Sequence, residues 1–213
     1  MKVIGFVNQK GGVGKTTFLI NTAFALSQMG KKVFILDTDP QASVCNFMDH
    51  RESLSVSTNI DYSSAQISAL KTALKNLSHY DVVLVDTAGN ASAEALKATI
   101  FMNNIVLPMQ SSWLDINSAT SFIEAISAYQ IKTPFKIIIN GVNSSSTSIA
   151  RKLQEYFIKQ HIGIFNSYIC YRKPYKDSIF EGKSIVETLE AKNTAIIEFN
   201  KYISELLIWI EGN

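Results

Sequence analysis

The chain has 213 residues, 46% of them hydrophobic and 18% charged, with a formal net charge of +2. That length suits one domain over residues 1–213 and excludes a disordered or low-complexity polypeptide, while so small a net charge excludes nucleic-acid binding by overall charge alone. The two cysteines, Cys45 and Cys170, lie far apart outside any C-x-x-C pair, which excludes a zinc ribbon or a disulfide framework.

Short β-branched runs alternate with longer helical patterns along the whole chain. Strands are predicted at Lys2–Val7, Lys32–Leu36, Leu54–Thr58, Asp81–Val85, Asn104–Leu107, Phe135–Ile139 and Ile164–Ile169. Helices are predicted at Gly14–Met29, Ser63–Ser78, Ala91–Phe101, Asp115–Tyr129, Thr147–Gln160, Lys176–Glu181 and Ala191–Ile210. Such alternation is the pattern of an α/β chain: a doubly wound, mostly parallel sheet with helices on both faces. The N-terminus opens into the first strand with no signal peptide, and no apolar stretch reaches membrane-spanning length, so the expected compartment is the cytoplasm.

The first strand runs into Asn8-Gln-Lys-Gly-Gly-Val-Gly-Lys-Thr-Thr17, which opens the first helix. Gly11, Gly12 and Gly14, around Val13, let backbone N–H groups approach an anion, and the helix that follows offers its positive dipole end. Lys15 is placed to meet terminal phosphates, and Thr16, followed by Thr17, offers a hydroxyl to Mg²⁺. The ordinary pattern G-x-x-x-x-G-K-[ST] is incomplete, because Gln9 stands at its first glycine and a second lysine, Lys10, precedes the glycines. The second strand ends in Asp37-Thr-Asp-Pro40, whose two acids, Asp37 and Asp39, point the same way on an extended segment. They would serve a metal and an attacking water, or form a solvated Asp-Pro turn. The fourth strand closes on Asp86-Thr-Ala-Gly89, where a strand-end acid holds Mg²⁺ indirectly and the glycine lets a loop approach a γ-phosphate.

Together these segments resemble the deviant Walker A ATPases of the ParA/MinD family, most of all the small ParA-type partition proteins. Lys10-Gly-Gly-Val-Gly-Lys-Thr-Thr17 resembles their phosphate loop, Asp37 to Gln41 their D-x-D-P-Q segment and Asp86 to Gly89 their D-x-x-G switch. Val106 to Asp115 and Arg172 to Glu187 resemble their later loops. The resemblance implies a P-loop NTPase fold, the cofactors ATP and Mg²⁺, a homodimer formed with ATP, and weak hydrolysis stimulated by a ParB-like centromere-binding protein. It implies catalytic roles for Lys10, acting across the dimer, Lys15 and Asp39, and a metal site of Thr16, Asp37 and Asp86. For the adenine it points to Asn140 and Pro174, although Asn140 equally suits an Asn-Gly turn.

The basic residues gather late, at Arg151, Lys152, Lys159, Arg172, Lys173, Lys176 and Lys183, with Tyr171 and Tyr175 among them. Composition alone reads these as solvated helix faces. The resemblance favours a non-specific DNA surface on Lys152, Arg172, Lys173, Lys176 and Lys183, and a nucleoid-associated protein. No helix-turn-helix fits before Met1, so operator reading is not expected. Beyond Lys192 at its start, the last helix carries Lys201 as its only basic residue, so it reads as a core helix and no membrane binding is expected. Rival readings are a MinD-like regulator, an ATPase that positions a protein cargo, and a kinase or synthetase needing a second substrate pocket.

Overall fold

The computed structural model describes residues 1–89 and 93–212. Seven strands, β1 (Lys2–Phe6), β2 (Val33–Asp37), β3 (Asp61–Ser64), β4 (Val82–Asp86), β5 (Asn104–Gln110), β6 (Phe135–Val142) and β7 (Ile164–Cys170), form one sheet ordered β3-β2-β4-β1-β5-β6-β7. Every neighbouring pair is parallel. The helices are α1 (Lys15–Gln28), α2 (Ser43–Ser53), α3 (Leu70–Lys75), α4 (Ala93–Ala98), α5 (Trp113–Ala128), α6 (Ser148–Lys159), α7 (Lys173–Phe180), α8 (Ile185–Thr188) and α9 (Thr194–Glu211).

The period-two pattern of the strands divides the core between two faces. Val3, Val83, Val85, Ile105 and Ile137 face a layer built by α3, α4, α5 and α6, including Leu70, Leu96, Phe122 and Phe157. Ile4, Phe6, Leu84, Val106 and Ile138 face the opposite layer, where α1, α2 and α9 supply Leu19, Phe47, Phe199 and Tyr202. Both faces are covered, which is why the central strands read as continuous apolar runs. α9 lies on β7 through Phe199, Tyr202 and Leu206, so its apolar stripe belongs to the core. Among the described residues, no helix is long and apolar enough to cross a membrane.

Two elements depart from the sequence reading. The strand expected at Leu54–Thr58 is a loop: Ser55 has φ 56°, in the left-handed region, and Leu54 stays exposed. The third strand lies instead at Asp61–Ser64, a mostly polar run paired in register with β2, from Phe34 opposite Asp61 to Asp37 opposite Ser64. The helix expected from Ser63 therefore starts late, as a 3₁₀ turn at Ile67–Ala69 followed by α3. The other surprise is α2, which carries no side-chain cap at Ala42. Its apolar positions Val44, Phe47 and Met48 face the core at helical spacing. The first two residues of the helix expected at Ala91–Phe101 lie outside the described residues; its remainder is α4 and a 3₁₀ turn.

Arg51, near the end of α2, is 3% exposed. Its guanidinium meets Glu187 in α8 twice, Nη1 with Oε2 at 3.0 Å and Nη2 with Oε1 at 2.7 Å. It also donates to the Gly182 and Ser57 carbonyls and stacks on Phe24 of α1. One buried cation thus ties together α1, α2, the loop before β3 and the α7–α8 turn. Asn21 of α1 adds a second tie, accepting the Ile185 N–H at 2.8 Å.

At the edge of the sheet, side chains occupy the backbone of β7. Glu205 accepts the N–H groups of Asn166 and Ser167, Glu198 accepts that of Cys170, and Gln154 donates to the Phe165 and Asn166 carbonyls. An edge occupied in this way offers little template for another strand.

Candidate functional site

β1 is the centre of the sheet, with β4 on one side and β5 on the other. The chain leaves β1 toward β2 and later returns to its opposite side, so the crevice at the carboxyl ends opens where strand order reverses. The loop after β1 fills that position. Asn8 anchors its start, donating from Nδ2 to the Pro108 carbonyl at 2.6 Å and accepting at Oδ1 from the Lys10 N–H and the Ser118 hydroxyl. Val13 is buried beneath the loop, and α1 begins after Gly14, at φ 95°, with no side chain capping its first turn. The dipole end of α1 therefore faces the cleft through uncapped backbone.

Lys15 is only 7% exposed, and burial lowers its pKa against the opposing pull of Asp86 and Asp39. The loop after β4 crosses close above it: a Cβ on Gly89 would sit 3.2 Å from Gly11 Cα and 3.5 Å from Lys15 Nζ, a tight fit that favours glycine. Thr16 Oγ1 donates to Asp86 Oδ2 at 2.7 Å. Asp86 is fully buried, and burial pushes its pKa up to about 7 despite the Thr16 hydrogen bond and the Lys15 charge. Its other oxygen, Oδ1, has no hydrogen-bond partner among the described residues. A hydroxyl and a half-satisfied buried carboxylate at the foot of an anion site are hard oxygen donors of the kind Mg²⁺ takes alongside phosphates. Among the described residues, no group of three or more His, Cys, Asp and Glu side chains could hold a metal on its own.

The two acids after β2 separate. Asp37 is 1% exposed and accepts three backbone N–H groups, from Asp39 at 3.1 Å, Val44 at 2.9 Å and Cys45 at 3.3 Å. It caps α2 from the preceding strand, which explains both the absence of a local cap and a helix hidden from sequence signals. Burial raises its pKa, and the backbone donors oppose that rise. Asp37, expected in the metal site with Thr16 and Asp86, lines the cleft while its two oxygens accept these backbone donors, and Thr16 and Asp86 meet each other at the foot of the loop. Asp39 is half-exposed and among the described residues accepts only the Gln41 N–H, and it lines the cleft. Thr38 ties the two strand ends, donating to the Asp86 carbonyl through both N–H and hydroxyl.

The resulting cleft holds about 1480 Å³ and is lined by Gly11, Gly12, Gly14, Lys15, Thr16, Thr17, Asp37 and Asp39. Thr87 to Gly89, Ser64 to Ser68 and Glu94 complete its walls. Asn140 and Pro174 are not among them. Asn140 Nδ2 donates to the Val13 carbonyl at 2.9 Å, and Pro174 sits at the start of α7, its carbonyl accepting from Ser178.

Lys10 is engaged within its own chain. Its Nζ lies 3.0 Å from Asp115 Oδ1, and that carboxyl is fully buried at the start of α5, where it also meets the Ser112 hydroxyl. The basic positions differ as well. Arg172 pairs with Glu198 at 2.6 Å, which makes it part of the β7 edge and not a free surface cation. Lys152 and Lys176 are exposed, the latter beside the Tyr171 ring. Lys173 and Lys183 stand 3.7 and 3.8 Å from Asp177 and Glu181, distances that leave them available to solvent. The Arg51–Glu187 node, the Asp115 partner of Lys10 and the amide of Gln110 went unread in the sequence. Only the helical spacing of Val44, Phe47, Met48 and Arg51 could have pointed to the first of them.

A profile of the CobQ/CobB/MinD/ParA nucleotide binding domain matches residues 4–185. The maintenance of carboxysome distribution protein A of Gloeobacter kilaueensis is 27% identical over 189 residues, covering 87% of this chain and 84% of that protein. The chromosome-partitioning ATPase Soj of Treponema pallidum is 25% identical over 194 residues, covering 75% of this chain and 77% of its own. The structure of cobyrinic acid a,c-diamide synthase from Mycobacterium smegmatis, with bound ATP analog and magnesium, superposes with a TM-score of 0.76 at 20% identity, over 100% of this chain and 97% of that one.

Proposed function

The chain belongs to the CobQ/CobB/MinD/ParA nucleotide-binding family, and from that premise we propose that it is a ParA-type partition ATPase: a single-domain protein that binds ATP with Mg²⁺, dimerises around the nucleotides, binds DNA without sequence preference and is released when a centromere-binding partner stimulates hydrolysis. The observation that carries the reading is one loop bearing two lysines of different standing. Lys15 is buried under the loop, whereas Lys10 projects from it to a carboxylate. A buried Lys15 meets the β- and γ-phosphates in its own subunit. Lys10 would exchange Asp115 for a phosphate oxygen of the facing subunit, so nucleotide in both subunits offsets the repulsion of two cationic loops.

Thr16 and Asp86 would hold Mg²⁺, which when bound neutralises charge developing on the transferred phosphoryl group. Asp39 orients the attacking water and takes up its proton. The uncapped start of α1 and the N–H groups of the glycine loop receive the phosphate oxygens. The base lies toward the ends of β6 and β7, on the side of Asn140 and Pro174. Lys152, Lys173, Lys176 and Lys183 form the DNA surface, doubled by dimerisation, with Arg172 holding the β7 edge beside them.

Light scattering of Asp39→Ala with Mg-ATP and with Mg-ADP is the test. A dimer with ATP and a monomer with ADP are expected, and a monomer at saturating ATP refutes the sandwich. A second reading, positioning of a protein cargo, is favoured by the carboxysome relative. The two differ in partner, so a stimulating protein that binds repeated DNA sites supports partition, and one that binds a protein shell or array supports cargo positioning.

A further inference from the structure

The carbonyl groups of the phosphate loop carry a further step, one that rests on the ATP-binding reading above. β5 and β6 end side by side, with Gln110 in register with Asn140. From these strand ends two side-chain amides reach back to the loop. Asn140 Nδ2 donates to the Val13 carbonyl at 2.9 Å, and Gln110 Nε2 donates to the Gly12 carbonyl at 3.3 Å. In a trans peptide the C=O and the following N–H point in opposite directions from one rigid plane. A Gly12 carbonyl drawn toward β5 therefore aims the Val13 N–H the other way, and a Val13 carbonyl drawn toward β6 does the same for Gly14.

The tethers matter because of where they act. Gly12 and Gly14 both hold positive φ, 75° and 95°, and glycine turns between backbone regions at little cost. Without a fixed partner, either peptide plane could rotate and present a carbonyl oxygen, instead of an N–H, to an anion. Gly14 also makes room for the contact, since a Cβ there would lie 2.4 Å from Asn140 Nδ2. The remaining end of the Asn140 amide is used nearby: Oδ1 accepts the Gly141 N–H at 2.8 Å, which orients Nδ2 toward the loop.

We propose that Asn140 and Gln110 are positioning residues, a pair of strand-end amides that clamp the phosphate loop with its N–H groups facing the nucleotide's phosphates. Asn140 then contributes to binding through the phosphates, and its effect is independent of the base.

A probe without a base separates this from adenine recognition. Calorimetry of the full chain with Mg-ATP, Mg-GTP and inorganic tripolyphosphate is compared for the wild type, Asn140→Ala and Gln110→Ala. Asn140→Ala should weaken all three by one common factor of about fivefold, the worth of one neutral hydrogen bond, with the ATP:GTP ratio unchanged. Gln110→Ala, whose bond is longer, should weaken all three by about twofold. Thermal midpoints of the two variants check that the fold is intact; should Asn140→Ala fail to fold, Gln110→Ala carries the same comparison alone. Loss of ATP affinity with tripolyphosphate affinity retained would assign Asn140 to the base and overturn the clamp, as would full affinity of both variants for every probe. A wild type that binds neither ATP nor tripolyphosphate would overturn the ATP reading itself, and the clamp with it.

Discussion

Removing Glu187 should strand a buried cation. The Arg51 guanidinium is 3% exposed and has Glu187 as its ion-pair partner, while its other contacts, the Ser57 and Gly182 carbonyls and the Phe24 face, carry no formal charge. Breaking a buried pair from one side costs about 3–5 kcal/mol. Because the Glu187 side chain is 21% exposed, water reaches the node, and the lower end of that range, about 3 kcal/mol, applies to Glu187→Ala. For a chain of this length that lowers Tm by roughly 6–12 °C. Arg51→Met keeps most of the volume and leaves Glu187 with the Ser184 N–H and hydroxyl as donors, so its cost is smaller, about 2 kcal/mol. The double variant contains no stranded charge and should be destabilised by about 3 kcal/mol instead of the sum of about 5, a coupling of about 2 kcal/mol. Urea unfolding followed by circular dichroism, with equal slopes for the four proteins, measures the cycle. Additivity within about 0.5 kcal/mol would show that the two charges do not depend on each other and would refute the node.

The two lysines of the phosphate loop should separate by assay. Lys15→Gln weakens nucleotide binding to the monomer, whereas Lys10→Gln retains monomer affinity and loses ATP-dependent dimerisation; calorimetry showing equal loss of affinity in both would place Lys10 in its own subunit's site. On DNA, Lys176→Ala should lower the log–log salt slope of the ATP-bound dimer by roughly 2, from two lost phosphate contacts at about 0.9 each. An unchanged slope for Lys152, Lys173, Lys176 and Lys183 replaced together would sink this surface.

The sequence determined those features whose chemistry is local or continuous. Glycines between an apolar run and a helical pattern, followed by Lys15 and Thr16, announce an anion site within ten residues, because only backbone freedom and a helix start are needed to build it. Burial on both faces makes the middles of β1, β4 and β5 apolar, so the central strands and Asp86 at the end of one were legible. The edge strand β3 was not: its residues are mostly polar, and pairing with β2 makes it a strand. The same limit hid α2, whose cap comes from Asp37 in the previous strand, six residues before the helix begins. The partners of the site residues were still more remote. Lys10 meets Asp115 across 105 positions and Asn140 meets Val13 across 127, and Arg172 became a structural cation through Glu198 in another helix. Residue type sets what a side chain can do, but whether its charge or amide stays free depends on which distant group the folded sheet brings within about 3 Å. That was decided only by the tertiary structure.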